Sequence, residues 1–224
     1  MKYRNEVKYI ISKNQAKILQ QRLSLIMEKD SNTNSETNTY LIRSLYFDDI
    51  NSDSYYEKLD GILFRKKYRI RLYNGSQDFM RLECKHKHNN MTAKEQALIN
   101  REICDKIIDG NYDIDTDNEI LKKFIIDIKT RHLIPSVIVD YERVAYTYPI
   151  STVRITFDFN IKSGRYNYNL FDNDSSLTSV IDDNLVVLEV KFDEVLPLHI
   201  ATILETIPSF RQAVSKFALC REIK

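Results

Sequence analysis

Glycine and proline are scarce, at four residues each in 224. With so few turn and linker residues and no low-complexity tract, nothing marks a division of the chain, and one domain over residues 1–224 is expected. Cysteine is limited to Cys84, Cys104 and Cys220, which are far apart, odd in number and without metal-ligand spacing. That excludes a disulfide framework and fits a reducing cytoplasm. Long apolar runs are missing as well. Met1 to Glu6 carries no apolar signal core, and no stretch reaches the roughly 20 apolar residues that a transmembrane helix needs. A soluble cytoplasmic protein is expected, one that reaches the inner face of a membrane only through a separate membrane-protein partner. An excess of one charge is also lacking: 33 Lys and Arg meet 32 Asp and Glu, for a net charge of +1, which excludes a uniformly basic nucleic-acid coat. Acidic stretches at Asp113 to Glu119 and Asp172 to Asp183 balance cationic segments elsewhere.

What the sequence has in quantity is alternating charge. Hydrophobic residues make up 43% and charged residues 29%, the balance of a globular chain. Five segments place Arg, Lys and acidic residues two or four apart: Arg4-Glu6-Lys8, Arg65-Lys67-Arg69-Arg71, Arg81-Glu83-Lys85-Lys87, Arg154-Asp158 and Glu189-Lys191. Residues two apart in a β-strand share a face, so each segment lines one side of a sheet with charge. The other side is apolar, with Ile70 and Leu72, then Leu82 and Cys84, Ile155 and Phe157, and Leu188 and Val190. A half-buried strand that only solvates its outer face alternates in the same way. Solvated faces, though, mix Thr, Ser, Gln and Lys, whereas these segments repeat guanidinium, ammonium and carboxylate. Like charges side by side repel. A polyanion between them relieves the repulsion, and phosphate suits it, because Arg grips phosphate through a planar fork and Lys as a point charge.

The alternation predicts strands near residues 3–11, 40–47, 61–73, 78–87, 136–146, 153–160, 165–171 and 185–192, with Asn74-Gly75 as a hairpin turn. Residues 89–100 read equally as strand or loop. Helices are expected from a Ser12/Gln15 capping box to about Met27, over 101–109 up to Gly110, over 118–130, over 198–207 and over 210–220. The fold class is α+β: a closed eight-stranded antiparallel β-barrel, which removes exposed edges. If its charged faces line the lumen, the apolar faces point outward and amphipathic helices must wrap them.

The segments resemble, in order along nearly the whole chain, the polyphosphate polymerase domain of the vacuolar transporter chaperone (VTC) type, within the CYTH-like triphosphate tunnel superfamily. The pieces that carry the likeness are Arg4-x-Glu6-x-Lys8-Tyr9, Ser44-Leu45-Tyr46-Phe47-Asp48, Gly61-x-x-x-Arg65-x-Lys67-x-Arg69-x-Arg71-x-Tyr73 and Glu83-x-Lys85. They continue with Tyr141-x-Arg143-x-Ala145, Val153 to Asp158, Leu188-Glu189-Val190-Lys191 and Ser215-Lys216-Phe217. The resemblance implies a tunnel that binds ATP and a divalent metal, Mn2+ or Mg2+, and adds the terminal phosphate to inorganic polyphosphate. It implies Lys8, Arg69, Arg71, Lys85, Arg143, Arg154 and Lys216 as the catalytic phosphate-binding set. Lys67, Lys94 and Lys191 are further cofactor-binding candidates, Lys94 as the match of a further family lysine, and Glu189 is the metal ligand. The regulatory inositol-phosphate sensing domain and membrane helices of the eukaryotic relatives have no counterpart in this sequence.

Phosphoryl transfer needs little covalent help beyond three phosphates held in line and their developing charge compensated. Inward Arg and Lys do both, and hard Mn2+ or Mg2+ takes oxygen from Glu189 and from Glu6 or Glu83. Glu6 and Glu83 have a second reading, as counter-charges that keep an empty tunnel from repelling itself. Asp158 reads as structural. His86 and His88 lack a third ligand and read as a solvated strand end. The 14 tyrosines suggest base stacking, but many sit on apolar faces where packing explains them, so no nucleic-acid partner is expected. The same tunnel passing phosphate to water would be a triphosphatase. Against that, the hydrolase branch typically carries Glu-x-Glu-x-Lys in its first strand, where this chain has Arg4-Asn5-Glu6-Val7-Lys8. A non-catalytic polyanion-binding module is the third alternative.

Overall fold

Strand β1 (Arg4–Ser12) runs directly into helix α1 (Lys13–Leu23). The junction is the predicted capping box: Ser12 Oγ accepts from the Gln15 N–H at 3.2 Å, and Gln15 Oε1 accepts from the Ser12 N–H at 2.8 Å. The computed structural model describes residues 1–30, 32–34, 37–78, 80–172 and 177–222. Parts of the predicted loop 30–39, of the strand 78–87 and of the acidic stretch 172–183 therefore lie outside the described residues.

The chain continues with β2 (Glu28–Lys29), β3 (Tyr40–Asp48), α2 (Asp53–Leu59), β4 (Phe64–Tyr73), β5 (Met80–His88) and β6 (Met91–Ile99). Then come α3 (Arg101–Ile108), α4 (Glu119–Arg131), β7 (Ile134–Thr147), β8 (Arg154–Gly164), β9 (Thr178–Ser179), β10 (Leu185–Phe192), α5 (Leu198–Glu205) and α6 (Lys216–Glu222). Eight strands close a wholly antiparallel barrel in the order β7-β3-β4-β5-β6-β1-β10-β8, with β8 returning to β7. The two-residue strands β2 and β9 hang on its rim. No helix among the described residues is long and apolar enough to cross a membrane.

Two apolar clusters cover the outside. In one, Leu45, Ile70, Leu82 and Cys84 pack with Ile107 of α3 and Phe124 of α4. In the other, Ile155, Phe157, Leu188 and Val190 pack with Leu19 and Leu23 of α1 and Ile200 of α5. Apolar side out and charged side in is thus settled by where the helices lie, since each strand has only two faces to offer. Helix α6 departs from the wrapping arrangement. Its Phe217 and Cys220 pack with Ile42, Val139, Tyr141, Ile161 and Val187, and Ile42 shares a strand face with the lumen residues Ser44 and Tyr46. The inner wall is therefore apolar where α6 meets it.

The observed elements depart from the sequence reading at several points. Residues 91–99, ambiguous in sequence, form β6, held by β5 over its whole length. Helix α2 had no sequence signal, because its free N–H groups are met from upstream: Asp48 accepts from Ser54 and Tyr55, and Asp49 accepts from Asp53. Residues 165–171 are not a strand; Asn167 accepts from the Asn169 N–H and Asn169 from the Phe171 N–H, and such local bonds displace a ladder. Residues 210–215 are not helical either. The β1–β6 pairing covers only Arg4 and Asn5, which leaves the edge of β1 open, and the C-terminal segment docks there through a Tyr9–Arg211 bridge and the Gln212 N–H to the Lys8 carbonyl at 2.9 Å.

Candidate functional site

The β4–β5 hairpin supplies Lys67, Arg69, Arg71 and Lys85 to the inner wall. Arg65 faces Lys87, Lys67 faces Lys85, Arg69 faces Glu83 and Arg71 faces Arg81, a register fixed by the ladder between the strands. On the opposite side Lys8 faces Glu189 and Glu6 faces Lys191 across β1–β10, and Arg143 faces Asp158 across β7–β8. Lys216 enters from the first residue of α6.

Three contiguous cavities run along the lumen. The central one, about 110 Å³, is lined by Lys8, Lys67, Arg69, Arg71, Lys85, Arg143, Glu189, Lys191 and Lys216, together with Tyr46, Tyr141 and Phe217. A wider chamber, about 380 Å³, shares Arg69, Arg71, Lys85, Arg143 and Lys191 with the centre and adds Glu6, Lys94 and Arg154 toward one mouth. A narrow one, about 80 Å³, shares Lys8, Lys67 and Lys85 and leads to the other mouth. Every phosphate-binding candidate from the sequence borders the central cavity or the wide chamber. Glu83 is fully enclosed behind them.

Carboxylates gather the cations into sets. Glu83 accepts from Arg69 at 2.6 Å and from Lys94 at 2.7 Å, with Arg71 at 3.7 Å. Burial pushes its pKa up, but Arg69, Arg71 and Lys94 outweigh burial and hold it well below the carboxylate range. Asp158, with no exposed surface, takes Arg143 through two bonds at 2.6 and 2.8 Å and Lys216 at 2.5 Å. Burial again opposes ionisation, and the two cations keep Asp158 charged. Lys8 lies between Glu6 at 3.3 Å and Glu189 at 3.4 Å, while Lys85 meets Glu6 at 2.8 Å and Lys191 meets Glu189 at 2.5 Å. Glu6 and Glu189 are held low by these lysines against burial. Lys85 is lowered to about 7 by burial and by Lys8 and Lys191, against the pull of Glu6. At the wide mouth Arg154 pairs with Asp30 at 2.6 Å and donates to the Tyr40 hydroxyl at 3.0 Å.

Lys67 differs from the rest. Its ammonium sits 4.1 Å from the Phe217 ring centre, and burial, followed by the charges of Arg65, Lys85 and Lys58 against Asp48, lowers it to about 7. An empty tunnel therefore holds Lys67 partly neutral near neutral pH. A bound polyanion raises the pKa of Lys67 and that of Lys85, which is lowered to about 7 as well, so binding of tripolyphosphate just above neutral pH is expected to take up protons at both. Calorimetry in buffers of different ionisation enthalpy measures the uptake, and Lys67→Met removes the part that belongs to Lys67.

Glu6, two residues before Lys8 on β1, and Glu189, opposite Lys8 on β10, supply two hard oxygen donors. Among the described residues no three His, Cys, Asp or Glu side chains converge as a metal site. The pair fits a cation that takes its remaining ligands from phosphate and water, the habit of Mg2+. Glu83, the third carboxylate read as a metal ligand, lines neither the central cavity nor the wide chamber and lies enclosed behind Arg69 and Lys94. His86 pairs with Glu95 at 2.9 Å, and the His88 ring stacks on Phe64 at 4.1 Å.

Sequence reasoning missed a layer of hydroxyls. Tyr46 accepts from Arg69 at 2.6 Å, Ser44 accepts from Arg71 at 3.0 Å, and Tyr141 accepts from Arg71 at 3.2 Å. These tyrosines, with Tyr40 and Tyr73 in the wide chamber, face the lumen cations rather than serving only as packing. The available signal was period two: Ser44 and Tyr46 alternate on one strand, as Tyr141 and Arg143 do on another.

Solved structures with this fold include a candidate adenylyl cyclase from Hippeastrum whose described dominant activity is triphosphatase, with a TM-score of 0.55 and 16% identity, covering 99% of this chain and 95% of that one. A candidate adenylate cyclase from Bacillus halodurans matches with a TM-score of 0.54 and 13% identity, over 92% of this chain and 89% of that one. Identities this low establish the shared fold alone. No curated protein sequence matches the chain. The VTC-domain family model matches residues 3–223. With that match over almost its whole length, the chain belongs to the VTC-domain family.

Proposed function

We propose that the barrel is a polyphosphate polymerase that transfers the terminal phosphate of ATP onto inorganic polyphosphate. The observation that carries this reading is the charge of the enclosed lumen. Lys8, Arg69, Arg71, Lys85, Lys94, Arg143, Lys191 and Lys216 meet only half as many carboxylates, Glu6, Glu83, Asp158 and Glu189. Excess cations in a confined, poorly hydrated space call for a polyanion. The hydroxyls of Tyr46, Ser44 and Tyr141 fix the forks of Arg69 and Arg71 before anything binds, so little reorganisation is left for the transition state.

In the reaction a terminal oxygen of the polyphosphate attacks the γ-phosphorus of ATP from the side opposite ADP. The bond between that phosphorus and the β–γ bridging oxygen breaks, ADP keeps the electron pair, and the chain is longer by one phosphate. Arg69, Arg71 and Arg143 hold non-bridging oxygens in line, and Lys8, Lys85 and Lys216 offset the charge that spreads over them. Asp158 positions Arg143 and Lys216. Glu189 and Glu6 are the residues that would hold Mn2+ or Mg2+, whose contribution is to neutralise phosphate oxygens. The wide chamber has room for the nucleoside.

The test is incubation with ATP and Mn2+, with and without a short polyphosphate primer, followed by a phosphate-staining gel and assays for ADP and free phosphate. A ladder with ADP is the expected result. Free phosphate without a ladder makes the protein a triphosphatase, the activity described for the Hippeastrum relative. No turnover leaves a polyanion-binding module.

A further inference from the structure

The wide chamber is lined, beyond the phosphate-binding cations, by three side chains that the transfer step does not use: Asn32, Tyr73 and Arg81. None of them borders the central cavity. Tyr73 follows Arg71 by two positions on β4, so it shares the inward face and lies roughly 7 Å farther along the strand, the reach of a ribose beyond a bound phosphate. Arg81 stands directly across the ladder from Arg71, like charge against like. Among the described residues no carboxylate pairs with Arg81. Its guanidinium lies instead 5.1 Å from the centre of the Tyr73 ring, with Arg71 at 5.9 Å from the same ring. A phenol ring and a guanidinium plane side by side make a flat, half-buried shelf next to the innermost phosphate site. Phosphate has no use for an aromatic face, whereas a nucleobase stacks on both kinds of plane.

Asn32 adds a direction to the same chamber. Both oxygens of the buried Asp30 are engaged: Oδ2 takes Arg154 at 2.6 Å, and Oδ1 takes the backbone N–H of Asn32 at 2.9 Å and its Nδ2 at 2.6 Å. Those bonds fix which way the amide faces. Turned over, it would set its oxygen against the Asp30 carboxylate, two acceptors with no proton between them. Asn32 Oδ1 therefore points away from Asp30, and among the described residues nothing donates to it. An amide oxygen held in this way accepts from an amino group and repels a carbonyl. Adenine carries an amino group at its sixth ring position, where guanine carries an oxygen.

We propose that Tyr73, Arg81 and Asn32 form a nucleobase subsite that selects adenine over guanine: the base stacks on the Tyr73–Arg81 shelf, and its amino group donates to Asn32 Oδ1. The proposal rests on the polymerase reading above and gives its phosphate donor a specificity, ATP over GTP. Asp30 then serves both ends of the nucleotide, since one carboxylate orients the Asn32 amide and the guanidinium of Arg154.

The test measures, by calorimetry on the full chain, the affinities for the non-hydrolysable β,γ-imido analogues of ATP and GTP and for inorganic tripolyphosphate. Wild type is expected to bind the ATP analogue about fivefold more tightly than the GTP analogue, the effect of one partly exposed hydrogen bond. Asn32→Ala brings that ratio to about one and leaves tripolyphosphate unchanged. Tyr73→Leu/Arg81→Lys keeps the charge and removes both planes, and it weakens the two analogues about tenfold relative to tripolyphosphate. Tripolyphosphate binding reports a folded tunnel in each variant. Equal binding of the two analogues by wild type, a preference that survives Asn32→Ala, or a double variant that weakens the analogues no more than tripolyphosphate overturns the proposal and leaves the polymerase reading standing. Tripolyphosphate bound by wild type with neither analogue bound overturns the proposal and removes ATP as the donor. Binding of no ligand by wild type overturns both.

Discussion

Glu189→Gln is expected to abolish turnover, by at least about a hundredfold, while tripolyphosphate binds as tightly as to wild type or more tightly. Glu189 is 4% exposed and lies against Lys8 and Lys191. Glutamine keeps the volume and one acceptor oxygen but removes a negative charge that competes with phosphate for those two ammonium groups. An anionic ligand gains from that loss, whereas a cation held between Glu189 and Glu6 loses half of its anionic protein donors. Activity and affinity therefore move in opposite directions, which a residue that merely shapes the tunnel does not produce. Titrating Mn2+ against turnover separates the roles further. Residual activity restored by more metal marks Glu189 as a ligand, and residual activity insensitive to metal marks it as the group that positions Lys8 and Lys191. Full turnover in the variant would remove Glu189 from the chemistry altogether. For a module that only binds polyanions there is no turnover to lose, and the gain in affinity is the whole effect.

The architecture was legible wherever one strand carried its own pattern. Arg65 to Arg71 and Arg81 to Lys87 carry a charge at every second position, so both the strands and the inward side of each can be read from them. β6 was ambiguous because Lys94, Glu95 and Gln96 suit a helix as well as a strand, and what decides between them is the neighbouring β5, not the segment itself. Helix α2 and the extended segment 210–215 were hidden for the same reason: Asp48 and Asp49 cap the first, and the open edge of β1 holds the second. In the site, charge announced itself and hydroxyls did not. Arg and Lys at period two have few explanations, while a tyrosine such as Tyr46 or Tyr141 reads as packing until its ring is found beside a guanidinium. The partner of each cation was likewise out of reach. Lys216 meets Asp158 only because α6 turns into the barrel, a contact between elements that no local spacing encodes.

Those pairings matter most for stability, and Glu83→Gln exposes them. The Glu83 carboxylate has no exposed surface and three cationic neighbours, Arg69, Arg71 and Lys94. Neutralising it leaves those charges buried and facing one another, at an expected cost of about 3–5 kcal/mol, a large part of the roughly 5–15 kcal/mol that holds a domain folded. Replacing an exposed acid such as Glu102, paired with Lys106 on the surface of α3, is expected to change little. The pH dependence has a definite sign. Glu83 has a folded pKa below its unfolded one, so its contribution is present above the unfolded value of about 4.3 and is lost as pH falls toward the depressed folded value. Wild type should lose stability on acidification through that window, and Glu83→Gln should show a shallower loss from a lower starting point. A ligand distinguishes the charge argument from a simple packing defect. Tripolyphosphate brings negative charge to Arg69 and Arg71 from the lumen side, so it should raise the melting temperature of the variant more than that of wild type, through tighter binding to the folded state. A chloride salt at the same ionic strength should not reproduce the difference. If the variant melts with wild type, or if phosphate stabilises both equally, then Glu83 does not balance the tunnel charge, and the positive charge of the lumen is offset by Glu6, Asp158 and Glu189 and by hydration.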